Sequence, residues 1–105
     1  MCRIAGIIDF QVSPSEEAIN RMTHAMQHGG PDDNGIYIDE QWPLAFGHRR
    51  LSLIDLSLLG HQPMMDDDQQ LIVIYNGEIY NFLEIRKSWS KKNMLSNLLP
   101  IQRLF

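Results

Sequence analysis

A cysteine at position 2 is the first residue with chemistry to offer. If Met1 is removed, Cys2 becomes the first residue and carries a thiol beside a free α-amine. The two groups ordinarily titrate at about 8.5 and about 7.7 to 8.0, so near neutral pH one can take the proton the other must lose. That is the arrangement of an N-terminal nucleophile, in which one residue holds both the attacking atom and its base. Read alone, Cys2 is equally a small apolar residue at the start of a buried strand. His24 and His28 stand four apart, a spacing that on a helix could hold a metal, but no Glu-x-x-His context or third ligand accompanies them. Packed or surface histidines are the expectation there. Asn76-Gly77 is, by type, the commonest two-residue hairpin turn, with Tyr75 before it and Glu78-Ile79-Tyr80 after it alternating as strand residues do. Arg49 and Arg50 could simply face solvent.

These residues need elements to position them. The run Ile4, Ala5, Ile7, Ile8 and Phe10 has the continuity of a strand buried on both faces. Ser13 or Ser15 can cap a helix of about three turns whose early glutamates sit at the positive end of its dipole. Its apolar stripe is Ala18, Ile19, Met22, Ala25 and Met26. Gly29, Gly30, Pro31 and Asp32 end it, and residues 35–38, 44–46, 51–54 and 71–75 supply strand-like pieces between turn residues. The acidic triplet Asp66 to Asp68 reads as a solvated turn. Segment 76–85 could open a second helix. The fold class is α+β.

Composition narrows the function. The chain has 105 residues, 44% of them hydrophobic, which supports one small core and excludes two. Nine Lys+Arg against 13 Asp+Glu give a net charge of -4. That argues against a nucleic-acid surface, whose footprint is a basic stripe. A single cysteine rules out an internal disulfide framework or a multi-cysteine zinc site and suits a reducing, cytoplasmic setting. No apolar run reaches the length of a membrane span, and the N-terminus lacks the features of a signal peptide. Composition also breaks near Arg86. All 13 acids and all seven glycines lie before it, and RKSWSKKNMLSNLLPIQRLF, which begins with it, holds five cations and no acid.

Four blocks, MCRIAGIID, HGGPDDNGIY, GHRRLSLIDLSLLGHQPM and YNGEIYNF, occur in this order. Together they resemble the glutaminase domain of class II glutamine amidotransferases, specifically that of the asparagine synthetases, over roughly residues 1 to 86. The resemblance implies a truncated Ntn-hydrolase-like αββα sandwich of antiparallel sheets. It also implies a reaction: the N-terminal thiolate attacks the side-chain amide of glutamine, forms a γ-glutamyl thioester and releases ammonia. By the same resemblance, Cys2 is the nucleophile, while Asn76 with its amide and Gly77 with its backbone N–H form the oxyanion hole. Arg50 clamps the glutamine α-carboxylate, a task suited to a bidentate fork. Leu51 to Ile54 and Glu78 line the same site. His48 and His61 read as structural hydrogen bonders. This segment is expected to need no cofactor, since ATP and Mg belong to a missing synthetase domain, the expected partner beside glutamine. Related enzymes amidate precursors of cell-surface polysaccharides, so that acceptor class stays open, as does a non-catalytic interaction module.

Three departures from the family pattern matter. Arg3 stands where a small residue is usual, beside the nucleophile, so its long charged side chain must leave the strand or crowd the pocket. The block His-Arg-Gly-Pro-Asp reads His28-Gly29-Gly30-Pro31-Asp32 here, so a cation is lost. The later Ser-Asp-Thr-Glu block, whose aspartate receives the α-amine of glutamine, is absent. Codons can be chosen for Leu99-Pro100-Ile101-Gln102-Arg103-Leu104 so that a shifted frame reads Thr-Asp-Thr-Glu-Val. Residues 1–86 are therefore expected to be a partial amidotransferase domain, and 87–105 a tail of foreign composition produced by a frameshift near Arg86. With strands missing, the product should be marginally stable and expose sheet edges.

Overall fold

The computed structural model describes residues 1–53 and 58–91. In chain order they form β1 (Arg3–Ile8), α1 (Glu16–Ala25), β2 (Asp33–Ile38), β3 (Leu44–Arg50), β4 (Met64–Met65), β5 (Ile72–Val73) and α2 (Phe82–Lys91). Single 3-10 turns cover Gln27–Gly29 and Leu58–Gly60. β1, β3 and β2 make an antiparallel sheet in that order, and β4 pairs with β5 in a second, two-stranded one. The fold is α+β with antiparallel sheets, as expected.

The start of α1 follows from local chemistry. Ser15 is the N-cap, its hydroxyl accepting from the Ala18 N–H at 3.1 Å. Glu16 and Glu17 fill the first turn, where negative charge meets the helix dipole favourably. The buried face differs from the expected stripe, because Ile19 and Thr23 point inward while Met22 is exposed. Gly47 explains the exchange. A Cβ at Gly47 would collide with Thr23 Cγ2, so the bare backbone there lets α1 sit close and favours a short side chain above it. The Thr23 hydroxyl remains satisfied within the helix, donating to the Asn20 carbonyl at 2.9 Å.

The core under α1 is Ala5, Ile19 and Ala45, with Ile7, Met26, Ile36 and Ile38 packed against it. Register decides which strand residues reach it. Ala5 lies opposite Gly47 and Ile7 opposite Ala45, while Ile36 faces Gly47 and Ile38 faces Ala45 from β2. These residues share one face by the two-residue alternation of a strand.

The other face of β1 corrects the sequence expectation of burial on both sides, since Ile4 is 47% exposed and Ile8 65%. Among the described residues, cover on that side is concentrated at the Arg50 end, where the segment around 58–63 crosses the sheet. It touches in three places. A Cβ at Gly60 would strike the Arg50 guanidinium, His61 Nδ1 lies 2.7 Å from Asp33 Oδ2, and Gly35 has room only for the Gln62 carbonyl.

The remaining expectations divide. Asp66 organises the turn between β4 and β5, its carboxylate accepting from Gln70 N at 2.8 Å and Leu71 N at 2.9 Å. Leu51 and Ser52 are not strand, Leu53 lies in a bend, and Ile54 falls outside the described residues. α2 starts at Phe82 and runs through residue 86, where composition changes. The shifted-frame block at Leu99 to Leu104 also lies outside the described residues.

Candidate active site

Cys2 sits one residue before β1 and is half-buried. The register that pairs Arg3 with Arg49 carries Cys2 to the end of β3, where its sulfur meets the backbone of Leu51. The Leu51 N–H donates to Sγ at 3.4 Å, and the thiol in turn can donate to the Leu51 carbonyl at 3.7 Å. The N–H contact survives when sulfur gives up its proton and then holds a negative charge, whereas the S–H contact exists only in the thiol. The next residue outward is also fixed, with Ser52 N donating to Asp32 Oδ2 at 2.7 Å.

Adjacent arginines part company here because strand neighbours face opposite ways. Arg49 turns toward α1 and donates from Nε to the Thr23 carbonyl at 3.0 Å. Arg50 turns to the opposite face, the one bearing His48, and is only 9% exposed, with its guanidinium over Gly60. Neither is a plain solvent-facing arginine.

Arg3 does not crowd the nucleophile. Its side chain leaves through the α1 face and lies on Gly29, where a Cβ would come within 2.6 Å of Arg3 Nε. Strand alternation thus separates Arg3 from the face that carries Ile4 and His48.

Asn76, Gly77 and Glu78 are exposed and belong to neither helix nor strand. No glycine in the described residues has positive φ, so Asn76-Gly77 is not the tight hairpin turn its sequence suggests, which needs φ > 0 at both positions. Gly77 instead lies under the Tyr75 ring, since a Cβ there would sit 2.8 Å from the Tyr75 hydroxyl and the side chain would have to move aside. The preceding residue is tethered: Tyr75 N donates to Gln62 Oε1 at 2.6 Å. The Tyr75 backbone also faces the imidazole of His48.

Two groups of candidates are therefore assembled. Cys2, Leu51 and Arg50 are contiguous at the end of β3. Asn76 and Gly77 are reached through Tyr75, which meets Gln62 and His48, and His48 lies two residues before Arg50 on the same face of β3. Among the described residues no hydrogen bond joins Cys2 to Asn76 or Gly77. An open cavity of about 590 Å³ lies elsewhere, on the α1 side, bordered by Glu17, Arg21, His24, Asn34 and Arg49. Its lining includes none of the residues just named for the Cys2 or Asn76 groups.

His48 is 1% exposed and its Nε2 has no hydrogen-bond partner among the described residues. Burial pushes its pKa below the ordinary histidine value, outweighing the pull of the Tyr75 backbone and of Asp33. His61 is paired with Asp33 and the His48 ring is hydrogen-bonded to the Tyr75 backbone, in line with structural hydrogen bonders, while Nε2 of His48 is left over among the described residues. Gln62 lies in the third block but was given no role. A glutamine between His61 and Pro63 carries no signal of burial until the fold places it under Tyr75. α1 ends at Ala25, so His28 is not on the helix that carries His24, and their four-residue spacing describes no common helical face.

A cysteine and a buried arginine at one end of an antiparallel sheet, and an exposed Asn-Gly pair that follows the tethered Tyr75 on a separate segment, are the residue types that the resemblance named. A family model described as "Glutamine amidotransferase domain" matches residues 1–97, and the chain belongs to that family. Its similarity is to particular enzymes within it. The chain is 42% identical over 106 residues to an inferred glutamine-hydrolysing asparagine synthetase 2 of Methanocaldococcus jannaschii, covering 86% of this chain and 21% of that protein. It is 38% identical over 101 residues to glutamine-hydrolysing asparagine synthetase 1 of Bacillus subtilis, covering 92% and 16% respectively. With asparagine synthetase B of Escherichia coli the identity is 33% over 94 residues, covering 88% and 16%. The chain thus spans about a fifth or less of the length of these curated relatives. No solved structure matches it significantly.

Proposed function

We propose that this chain carries the glutaminase half of an ATP-dependent, asparagine synthetase-like enzyme, with Cys2 as the nucleophile once Met1 is removed. The freed α-amine accepts the thiol proton, and sulfur attacks the side-chain amide carbon of glutamine. Charge then develops on the carbonyl oxygen, where the Asn76 amide and the Gly77 N–H donate to it. The C–N bond breaks, ammonia departs with the proton returned by the amine, and a γ-glutamyl thioester remains. Water adds to the thioester, glutamate leaves, and the proton returns to sulfur. Arg50 holds the α-carboxylate of glutamine, and Leu51, Ile54 and Glu78 line the same site.

The observation that supports this reading is the seat of Cys2 Sγ on the Leu51 backbone, directly after the buried Arg50. In the longer enzyme the ammonia would pass to a synthetase domain, where ATP and Mg activate the acceptor carboxylate. A cytoplasmic setting suits a thiol that must stay reduced.

The test is covalent capture. The full chain with Met1 removed is incubated with a diazo-oxo-norleucine electrophile and mapped by mass spectrometry. Labelling of Cys2 that excess glutamine prevents is expected. An intact N-terminal cysteine that stays unlabelled would remove catalysis from this chain. The exposure of Ile4 and Ile8 on one face of β1 among the described residues favours the second reading of a non-catalytic interaction module, which predicts that unlabelled outcome.

A further inference from the structure

We propose that Gln62 is a positioning residue for glutamine hydrolysis, holding the backbone of Tyr75 so that the Asn76 amide and the Gly77 N–H are presented together to the developing oxyanion. The proposal rests on the glutaminase reading above and gives it a part that the sequence blocks did not reveal.

Three observations carry it. Gln62 is 6% exposed, and its Oε1 accepts from the N–H of Tyr75 at 2.6 Å, a contact between segments thirteen residues apart. The main chain of Gln62 is itself packed on β2, because its carbonyl lies in the space that a side chain at Gly35 would occupy. Gly35 is the register partner of His48, whose buried ring faces the same Tyr75 backbone. The side chain of Gln62 thus ties the Asn76-Gly77 segment to one point on the β2–β3 ladder, two residues from Arg50.

The physical need is clear from what lies outside that tether. Asn76, Gly77 and Glu78 are exposed and have no ladder to hold them. Donors contribute most to an oxyanion hole when they need not reorganise as charge appears. A misplacement of about 1 Å can cost about 100-fold in rate. An exposed Asn-Gly pair meets that requirement only if the residue before it is fixed, and the Tyr75 N–H to Gln62 bond is the fixing contact. Gln62 does not touch substrate in this account; it acts through Tyr75.

The experiment compares the full wild-type chain, freed of Met1, with Gln62→Met and Gln62→Glu. The first nearly preserves volume and removes the acceptor, and the second retains an oxygen acceptor for Tyr75. Glutaminase kinetics and amide exchange at Tyr75 to Gly77 are read on each, with circular dichroism confirming folding. Gln62→Met is expected to lower kcat about 10- to 100-fold with KM nearly unchanged, and to speed Tyr75 amide exchange about tenfold or more. Gln62→Glu is expected to recover much of both. A folded Gln62→Met with wild-type kcat and exchange overturns the proposal, as does a change confined to KM. If Gln62→Met does not fold, Gln62→Glu decides, since loss of kcat with Tyr75 exchange still slow overturns the link. A wild-type chain without turnover removes the glutaminase reading itself, and this proposal falls with it.

Discussion

The side chain of Arg3 lies across Gly29: a Cβ on that glycine would stand 2.6 Å from Arg3 Nε and 2.8 Å from its Cγ. Two departures from the family pattern, an added arginine at 3 and a lost one at 29, therefore occupy a single volume. Gly29→Arg alone is expected to destabilise the fold by about 1–3 kcal/mol through overpacking. Combined with Arg3→Gly it should recover, giving a coupling of about 1 kcal/mol or more. Urea midpoints of the wild type, both single variants and the double variant measure this, and additive effects would refute it.

Gly47 allows α1 to approach the sheet. Gly47→Ala would drive a methyl into Thr23 Cγ2, with Ile19 Cδ1 only 3.2 Å away. Loss of about 1–3 kcal/mol is expected, and Gly47→Ala combined with Thr23→Ser, which removes the opposing methyl, should regain part of it. Thermal denaturation of the three chains is the check.

Stability should fall as pH drops below about 6.5. Burial lowers the pKa of His48 in the folded state below its unfolded value of 6.5, so the unfolded chain takes up the proton first. The contribution is fully present above the unfolded value and is lost progressively as pH falls toward the folded one, at most about 1.4 kcal/mol per pH unit. Urea titrations between pH 8 and pH 5 should show this slope, and His48→Gln should flatten it.

Asp39 holds the turn between β2 and β3. Its carboxylate accepts from Gln41 N and Trp42 N, both at 2.8 Å, and from the Tyr37 hydroxyl at 2.7 Å. These bonds lower its pKa, chiefly that from Trp42, and the bond to Asp39 raises that of Tyr37. Asp39→Ala is expected to speed amide exchange at Gln41 and Trp42 while leaving α1 protected, which hydrogen-exchange mass spectrometry can resolve.

For the basic segment after Arg86 we propose a shifted reading frame. The expected finding is a neighbouring frame downstream of codon 86 that restores acidic residues and a Thr-Asp-Thr-Glu block. Nucleotide sequence across that codon with no such block in either alternative frame removes the idea.

Local chemistry made much of this molecule readable. The start of α1 was legible because a serine hydroxyl followed by two glutamates solves a problem confined to one turn, the unsatisfied N–H groups of a helix end. Asp66 to Asp68 read correctly as a turn for the same reason. The four blocks identified the family, and with it Cys2, Arg50, Asn76 and Gly77 as candidates. The inward position of Thr23, by contrast, depends on Gly47, which is 24 residues away. The divergence of Arg49 from Arg50, and the side from which Arg3 leaves, depend on strand phase relative to α1.

Residue types and their order thus determined the chemistry on offer: a thiol, a guanidinium and an amide beside a glycine. Only the tertiary structure decided that Cys2 rests on Leu51, that Arg3 covers Gly29 instead of the nucleophile, and that Gln62 secures Tyr75. Those outcomes are set by register and by which face each side chain takes. A strand turns every side chain over with a slip of one residue, so such facts exist only once distant segments have paired.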